Sequence, residues 1–364
     1  MKHEFPLEHL LFIHNAIGEL DGVLSQKPDD LHANYNKAML LLSIGEFERG
    51  WKLFEWRFKI LNSIFSYDWF PVPRWDYKSD VTGKHVLVWL EQGIGDQIMG
   101  ASMVPDIAAK AASVTLMADR RFADLCRRSF PANVEFYKFG DPISPRLKAW
   151  DYDCQLSMAD LGFMFRKKFE DFPGVTFLKP DAEKVASLRA KYKKAGGDRP
   201  LVGFSWMSAN VKYGALKSIP PDDYIGVLKD KDVQYVSLQY GDNPIDMDML
   251  RKRGAEFIVD PSIDPLISLD DSAAQIAAMD HVVSVSNSTV HLAGAMGVPT
   301  TAMIPVGHGR VWYWFTAMDY SCWYPSVRLR RTKSPDYWRD IVGETAQDIF
   351  RLHAQSARLF ANVA

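Results

Sequence analysis

Hydrophobic positions divide the chain into a helical first part and a longer part in which short apolar runs alternate with helical patterns. In residues 1–62 apolar residues recur at helical spacing, no proline stands between Leu31 and Asn62, and Gly45 interrupts the pattern as a turn. From residue 84 onward the apolar runs are short and bounded by turn residues, as in HVLVWL, SVTLMA, LVGFSW, VQYVSLQY, EFIV, HVVSVS and TTAMIP. The pattern predicts paired helices followed by buried strands.

Alternation of strands and helices indicates parallel βαβ units, and hence an α/β protein with covered sheets. The charged stretch SLRAKYKKAGGDR contains a glycine pair and is typical of a domain boundary. We therefore expect two Rossmann-like domains facing each other across a cleft. The predicted ranges are a helical segment 1–62, a linker 63–83, a first Rossmann-like domain 84–190, a second 199–334, and a helical tail 335–364 that packs back on the first domain.

The helical segment also repeats itself weakly. At an offset of about 34, the period of tetratricopeptide units, Ala16, Leu20 and Pro28 align with Gly50, Phe54 and Asn62. Fewer than three such units do not form a stable array. We expect this TPR-like segment to dock on the domain that follows it, and it is a candidate surface for a protein partner.

Composition limits the classes of partner and compartment. The 364 residues include 43 Lys+Arg and 45 Asp+Glu, a net charge of -2, which argues against a nucleic-acid binder. The cysteines, Cys126, Cys154 and Cys322, form no CxxC pair, so neither a disulfide framework nor a zinc ribbon is expected. The sequence shows no signal peptide and no membrane-spanning stretch. It therefore predicts a cytoplasmic protein without a transmembrane segment.

Two aromatic clusters, WRFKILNSIFSYDWFPVPRW and WYWFTAMDYSCWYP, allow two interpretations. Aromatic side chains bury large areas where parts of a protein pack together, and they also stack on ligands. Packing is the commoner use and is the interpretation we favour.

The first candidate site is the loop EQGIGD, which follows a predicted strand where ligands bind in open α/β folds. Gly93 and Gly95 allow close approach of a substrate, and Gln97 and Asp96 open the next helix. Ile98 stands where a dinucleotide fingerprint needs a small residue, and no Walker lysine follows. Asp96 is either a general base or an ordinary N-cap. The other carboxylate of the loop is Glu91.

The second candidate site is the run SVSNSTVH before a small-residue helix. Asn287, Ser288 and Thr289 stand where the unpaired N–H groups of a helix favour a phosphate. The alternative is plain helix capping, with His291 a packed core histidine.

The third candidate site is the loop after the strand LVGFSW. It carries Ser205, Trp206, Lys212 and Lys217, and the two cations can neutralise a diphosphate. Gln239 stands where the chain runs from a neighbouring predicted strand towards the same proposed cleft, and it is predicted to lie near the nucleoside. The alternative is that both lysines are solvated surface residues.

Several motifs in order resemble bacterial glycosyltransferases of the heptosyltransferase type fused to tetratricopeptide repeats. They are EQGIGDQIMGASMVP, the loop GFSWMSAN…KSIP, SLQYGD, SVSNSTVHLAGAMGVPT and SCWYPSVRLRR. The resemblance implies a GT-B fold, a nucleotide-diphosphate sugar donor, inversion, and no metal. It implies that Asp96 is the base, that Lys217 lies near the diphosphate, and that Ser288, Thr289 and His291 surround the donor. One departure is Ser286-Asn287, where heptosyltransferases have Asp-Thr.

The sequence thus predicts an inverting, metal-independent glycosyltransferase that needs no cofactor beyond its donor substrate. Lys212 and Lys217 are expected to hold the diphosphate. The acceptor is a glycan, a protein or a small molecule. Two alternatives stay open: an inactive GT-B-fold scaffold that docks a partner through its helices, and a nicotinamide oxidoreductase, against which the missing third glycine counts.

Overall fold

The computed structural model describes residues 7–60, 67–139, 152–211, 213–241, 243–316, 318–334 and 337–361. The chain forms two compact units. The first comprises Met1–Phe177 and Val311–Trp323, and the second comprises Leu178–Arg310 and Tyr324–Ala364.

The first unit begins with the predicted helices, α1 (Leu7–Gln26), α2 (Leu31–Ser43), α3 (Phe47–Leu53) and α4 (Arg57–Ile60). Asp30 caps α2 by accepting a hydrogen bond from the Ala33 N–H at 3.0 Å. Gly45, at φ 85°, makes the turn into α3. A side chain at Gly50 would meet Leu42, because the two helices approach closely there. The helices are confirmed, whereas their membership of a tetratricopeptide array stays a prediction.

A four-stranded parallel sheet follows in the same unit. Its strands are β1 (His85–Trp89), β2 (Ser113–Ala118), β3 (Val134–Lys138) and β4 (Cys154–Ser157), in the order β3-β2-β1-β4. Its helices are α5 (Ile94–Ala101), α6 (Val104–Ala108), α7 (Ala123–Ser129) and α8 (Met158–Phe165). The pattern predicted β1 and β2 but not β3, a partly exposed edge strand, or β4, which has four residues.

The predicted linker 63–83 covers one edge of this sheet, as far as the described residues from 67 onward show. Arg74 pairs in parallel with Gln155 of β4, and the Trp75 N–H donates to the Gln155 carbonyl at 3.1 Å. An uncovered edge strand exposes unpaired backbone groups. The linker therefore completes the sheet rather than separating two domains.

Residues Val311–Trp323 return to the first unit, and we call them the aromatic strap. Trp312 packs edge-to-face on Trp51 with ring centroids 5.1 Å apart, and Phe315 packs in the same way on Phe47 at 5.7 Å. The Thr316 N–H donates to the Ser43 carbonyl at 3.1 Å. For this cluster the packing interpretation of the aromatic residues is confirmed.

The second unit contains a six-stranded parallel sheet in the order β10-β9-β8-β5-β6-β7. The strands are β5 (Leu201–Ser205), β6 (Gln234–Ser237), β7 (Phe257–Ile258), β8 (His281–Val285), β9 (Thr300–Ile304) and β10 (Val327–Arg331). The helices are α9 (Ala182–Gly196), α10 (Gly214–Lys217), α11 (Pro221–Tyr224), α12 (Pro244–Lys252), α13 (Leu269–Ala277), α14 (Ser288–Ala295) and α15 (Arg339–Ala361). All five strands predicted for this part are present, and β10 adds a sixth.

Two boundaries differ from the expectation. The stretch expected to separate the domains near residues 190–199 is mostly the charged helix α9, which is capped by Asp181, packs on α13 and belongs to the second unit. The tail expected to return to the first domain forms α15, which packs on α11, β9 and β10 of the second unit. The apolar side chains Ile341 and Ile349 of α15 are buried in that unit's core, which gives the physical reason.

Candidate functional site

In the first unit, Asp96 stands in the first turn of α5, directly after the loop that follows β1. Its Oδ2 accepts a hydrogen bond from the N–H of Gly93, the N-cap residue, at 3.2 Å. Gly95 also lies in this first turn. A Cβ at Gly93 would stand 3.2 Å from that carboxylate oxygen, so glycine allows the close approach. The half-buried Asp96 side chain therefore bonds back to the N-cap residue from the first turn, whereas the alternative expected Asp96 to be the N-cap itself.

Gln97, predicted to bind substrate, is hydrogen-bonded on both sides within the unit. Its Nε2 donates to the Gln92 carbonyl at 3.2 Å, and its Oε1 accepts from the Asp119 N–H at the end of β2 at 2.8 Å. Gln92 has a left-handed backbone at φ 71°, which is unfavourable for a residue with a side chain. Gln97 thus acts as a positioning residue for a strained loop.

Glu91, the other carboxylate of this loop, is enclosed. Arg57 of α4 donates from Nη2 to Glu91 Oε1, and it lies 3.3 Å from Ser157 Oγ. Both Glu91 and Arg57 are 0% exposed. Burial raises the pKa of Glu91, and the charge of Arg57 opposes that shift. Glu91 is therefore engaged within the unit, and sequence reasoning missed the helical residue that engages it.

A second acidic cap lies beside the first. Asp160 accepts from the Ser157 N–H at 2.7 Å and from the Tyr67 hydroxyl at 2.5 Å, at the start of α8. Because β1 and β4 are adjacent and parallel, α5 and α8 begin at the topological switch point of this sheet. Both helix N-termini hold a carboxylate of their own chain, which disfavours a phosphate there. The spacing of Ser157 and Asp160 is a readable capping-box signal.

In the second unit, three predicted residues form a hydrogen-bonded clasp across the carboxyl ends of β5, β6 and β8. Ser205 Oγ donates to Gln239 Oε1 at 2.9 Å and accepts from Asn287 Nδ2 at 2.8 Å. Gln239 Oε1 also accepts from the Trp206 and Met207 N–H groups, and Asn287 Oδ1 caps α14 through the Thr289 N–H at 3.0 Å. These side chains position the loops, because their polar atoms are bonded within the unit.

Trp206 and His291 are buried as well. Trp206 is 1% exposed and donates from Nε1 to Asp246 at 3.0 Å. His291 is 1% exposed and its Nδ1 lies 2.9 Å from the Tyr324 hydroxyl. Burial lowers the pKa of His291 to about 3, and the positive charge of Lys217 adds to this effect. His291 fits the packed-histidine alternative, and Lys217 lies close enough to α14 to act on it. Lys212 lies outside the described residues.

A cavity of about 350 Å³ opens between α13 and the first turn of α14, beyond the carboxyl ends of β6 and β7. Ser288 and Thr289 line it, as does Gln239. Much of the remaining wall is apolar and includes Leu238, Met247, Val259, Pro265, Ile276 and Leu292. Among the described residues that line it there is no lysine or arginine. The cavity therefore joins an apolar surface to a helix N-terminus.

Sequence reasoning missed the α13 side of this cavity. Ser272 and Gln275 line it, together with the loop residues Asp264 and Leu266. The available signal was the position of that loop, which follows the predicted strand EFIV at its carboxyl end.

Two further findings concern metals and membranes. Within the described ranges, no group of three or more His, Cys, Asp or Glu side chains is placed to hold a metal ion. No helix in the described part of the chain is long and apolar enough to cross a bilayer.

No protein-family model matches the chain. Protein FlbA of Caulobacter vibrioides is 30% identical over 354 residues, which cover 91% of this chain and 58% of FlbA. The chain thus spans little more than half the length of this curated relative.

Among solved structures, the ADP-heptose lps heptosyltransferase II of E. coli matches with a TM-score of 0.54 and 15% identity, over 75% of this chain and 99% of that one. A glycosyl transferase family 9 protein from Veillonella parvula matches with a TM-score of 0.49 and 13% identity, over 71% and 88%. The iron-containing dodecameric glycosyltransferase TibC from E. coli matches with a TM-score of 0.47 and 12% identity, over 77% and 78%. On the first of these matches, the chain has a parallel α/β fold like that of heptosyltransferase II.

Proposed function

We propose that the protein is an inverting glycosyltransferase that moves a sugar from a nucleotide-diphosphate donor to an acceptor hydroxyl. The observation that carries the proposal is the cavity of the second unit, where Ser288 and Thr289 border an apolar wall. Its volume of about 350 Å³ suits a nucleoside, and the positive end of the α14 helix dipole suits a phosphate. The similarity of fold to heptosyltransferase II supports the same assignment.

The two units suit different substrates in this proposal. Carboxylates at the starts of α5 and α8 disfavour a diphosphate in the first unit, which leaves that sheet edge to the acceptor. Lys217 and the start of α14 supply positive charge in the second unit. A nucleotide donor therefore belongs to the second unit, and this distribution also argues against a nicotinamide cofactor in the first.

The proposed reaction is one displacement at the anomeric carbon. The acceptor oxygen attacks C1 as the bond from C1 to the diphosphate oxygen breaks, and Asp96 accepts the acceptor proton. Lys217 and the positive end of the α14 helix dipole stabilise the negative charge on the departing diphosphate, so no metal is needed. A single displacement inverts the configuration at C1 and needs no carboxylate nucleophile.

The test is thermal unfolding with a panel of nucleoside diphosphates. A nucleotide at about 100 times its dissociation constant should stabilise the protein by about 2.7 kcal/mol. The paired variant is Ser288→Asp, because an acid in the first turn of α14 favours the helix but repels a diphosphate. We expect it to fold normally and to lose the nucleotide effect. No shift with any nucleotide in the unmodified protein would favour the inactive scaffold.

A further inference from the structure

A relay of buried hydrogen bonds joins two residues that line the cavity, Gln275 on α13 and Asp260 after β7. Lys191 Nζ contacts both oxygens of Asp260, at 2.8 and 2.7 Å. The Tyr192 hydroxyl donates to Asp260 Oδ2 at 2.8 Å, and Gln275 Nε2 donates to the same hydroxyl oxygen at 3.0 Å. Tyr192 is 0%, Gln275 4% and Asp260 6% exposed. Gln275 is therefore held by a chain of partners that ends in an ion pair.

This relay determines which way the amide of Gln275 points. A tyrosine hydroxyl has one proton, and the ionised Asp260 can only accept it. The Tyr192 oxygen must then accept a proton from Gln275, so the NH₂ group of the amide faces Tyr192. The carbonyl Oε1 of Gln275 faces the other way and is available as an acceptor.

A second hydrogen-bond acceptor lies one turn earlier on α13. Ser272 Oγ donates its proton to the Ser268 carbonyl at 3.0 Å, which leaves its oxygen lone pairs as acceptors. Ser272 and Gln275 are three residues apart in one helix and line the same cavity. No lysine or arginine lines it among the described residues. A ligand in contact with this wall is bound best if it donates hydrogen bonds.

We infer that Gln275, with Ser272, selects donor nucleotides whose base carries an exocyclic amino group, as adenine and cytosine do, over bases with an oxo group at that position. The inference rests on the proposed function, which places the nucleoside in this cavity. The apolar side chains Leu238, Ile276 and Leu292 suit the faces of a flat ring, and the acceptors suit its amino edge. An oxo group there would set two acceptors against each other.

The test compares two matched pairs of nucleotides on the full chain by calorimetry. ADP and IDP differ by an amino group replaced by an oxo group, as do CDP and UDP. We expect each amino nucleotide to bind about tenfold more tightly than its partner, the factor for one buried hydrogen bond. Equal binding within both pairs would overturn the inference but leave the proposed function standing. No binding by any of the four would overturn both.

Three variants locate the preference. Gln275→Leu should bring the ratio within each pair close to one by weakening ADP and CDP binding. Tyr192→Phe lets the amide rotate, so IDP and UDP should bind more tightly, a gain that general damage to the cavity cannot produce. Ser262→Ala is the control, because Ser262 donates to Asp260 at 2.7 Å without contacting the Tyr192–Gln275 pair. A preference that survives Gln275→Leu, does not change in Tyr192→Phe, or is lost in Ser262→Ala would contradict the assignment.

Discussion

The two units share parallel sheets with helices at the carboxyl ends of their strands, but α5 and α8 of the first unit differ from α14 of the second in the charge of their first turns. In the first unit the helices begin with carboxylates, Asp96 and Asp160, and the guanidinium of Arg57 is bound to Glu91. In the second unit the clasp of neutral side chains presents α14 without an acid in its first turn. If the donor binds as we propose, the residues at the starts of the helices, more than the sheet, decide where its phosphates bind.

The variant with the greatest expected loss of activity tests the carboxylates at the starts of the helices in the first unit. Asp96→Asn should reduce glycosyl transfer by about 10²–10⁴-fold, because asparagine cannot accept the acceptor proton. The amide oxygen of asparagine can accept the same hydrogen bond from the Gly93 N–H, so the melting temperature should fall little. Nucleotide affinity should also persist, since we assign the donor to the second unit. The measurements are single-turnover transfer rates beside thermal unfolding and calorimetry.

The control is Asp96→Ala, which removes the cap as well as the base and should lower both the melting temperature and the activity. If Asp96 only caps, the asparagine variant keeps its turnover and only the alanine variant loses it. That result would refute the catalytic assignment. Glu91 could not take over the role as it stands, because Arg57 and burial enclose it.

A smaller change, in donor affinity, is expected from a variant of the second unit. Lys217→Ala should weaken donor binding more than tenfold, because a charge-assisted contact to a diphosphate contributes about 1.5–3 kcal/mol. Lys110→Ala removes the same charge from an exposed position of the first unit and should leave donor affinity unchanged. Because Lys217 is only 8% exposed, thermal unfolding must show that Lys217→Ala still folds. Equal affinities for both variants and the unmodified protein would show that Lys217 does not hold the donor.

The smallest expected effect concerns divalent metal. The second unit carries no Asp-x-Asp pair at the carboxyl end of a predicted strand, and a lysine and a helix N-terminus are proposed to stabilise the diphosphate instead. Turnover should therefore be the same with and without EDTA. Loss of activity in EDTA that manganese or magnesium restores would break the proposed division of labour between the units.

Much of the fold was predictable because the buried parallel strands are nearly continuous apolar runs. HVLVWL and HVVSVS became β1 and β8. The strand β10, VRLRR, was missed because charged residues alternate with its apolar ones, and Arg330 contacts Asp348 of α15. Much of helix α9 was predicted to be a domain boundary because the sequence there is strongly charged and ends in a glycine pair. A local sequence pattern cannot reveal contacts between residues that are distant in the sequence, such as those between α9 and α13.

Part of the cavity wall could be predicted from the sequence, whereas the binding roles of its residues stay predictions. Ser288 and Thr289 line the cavity, as their place at a strand end suggested. Asn287 and Gln239 stand at the same edge, but their side-chain amides are hydrogen-bonded to other residues of the protein. These partners, such as Ser205, lie far away in the sequence, so the sequence pattern could not reveal them. Gln275 carried no signal, because a glutamine in a helix is ordinary until its neighbours are known.

The aromatic strap has a consequence for how the protein can be dissected. The chain passes between the units at 177/178, 310/311 and 323/324, so no single cut yields both units whole. A recombinant fragment that ends at Phe177 lacks Trp312 and Phe315, and it would expose the faces of Trp51 and Phe47 that these rings cover. Such a fragment would be prone to aggregation. A fragment starting at Leu178 would carry the strap as an unpacked apolar loop. To produce the second unit alone, the strap should be removed and Arg310 joined to Tyr324 by a short glycine linker.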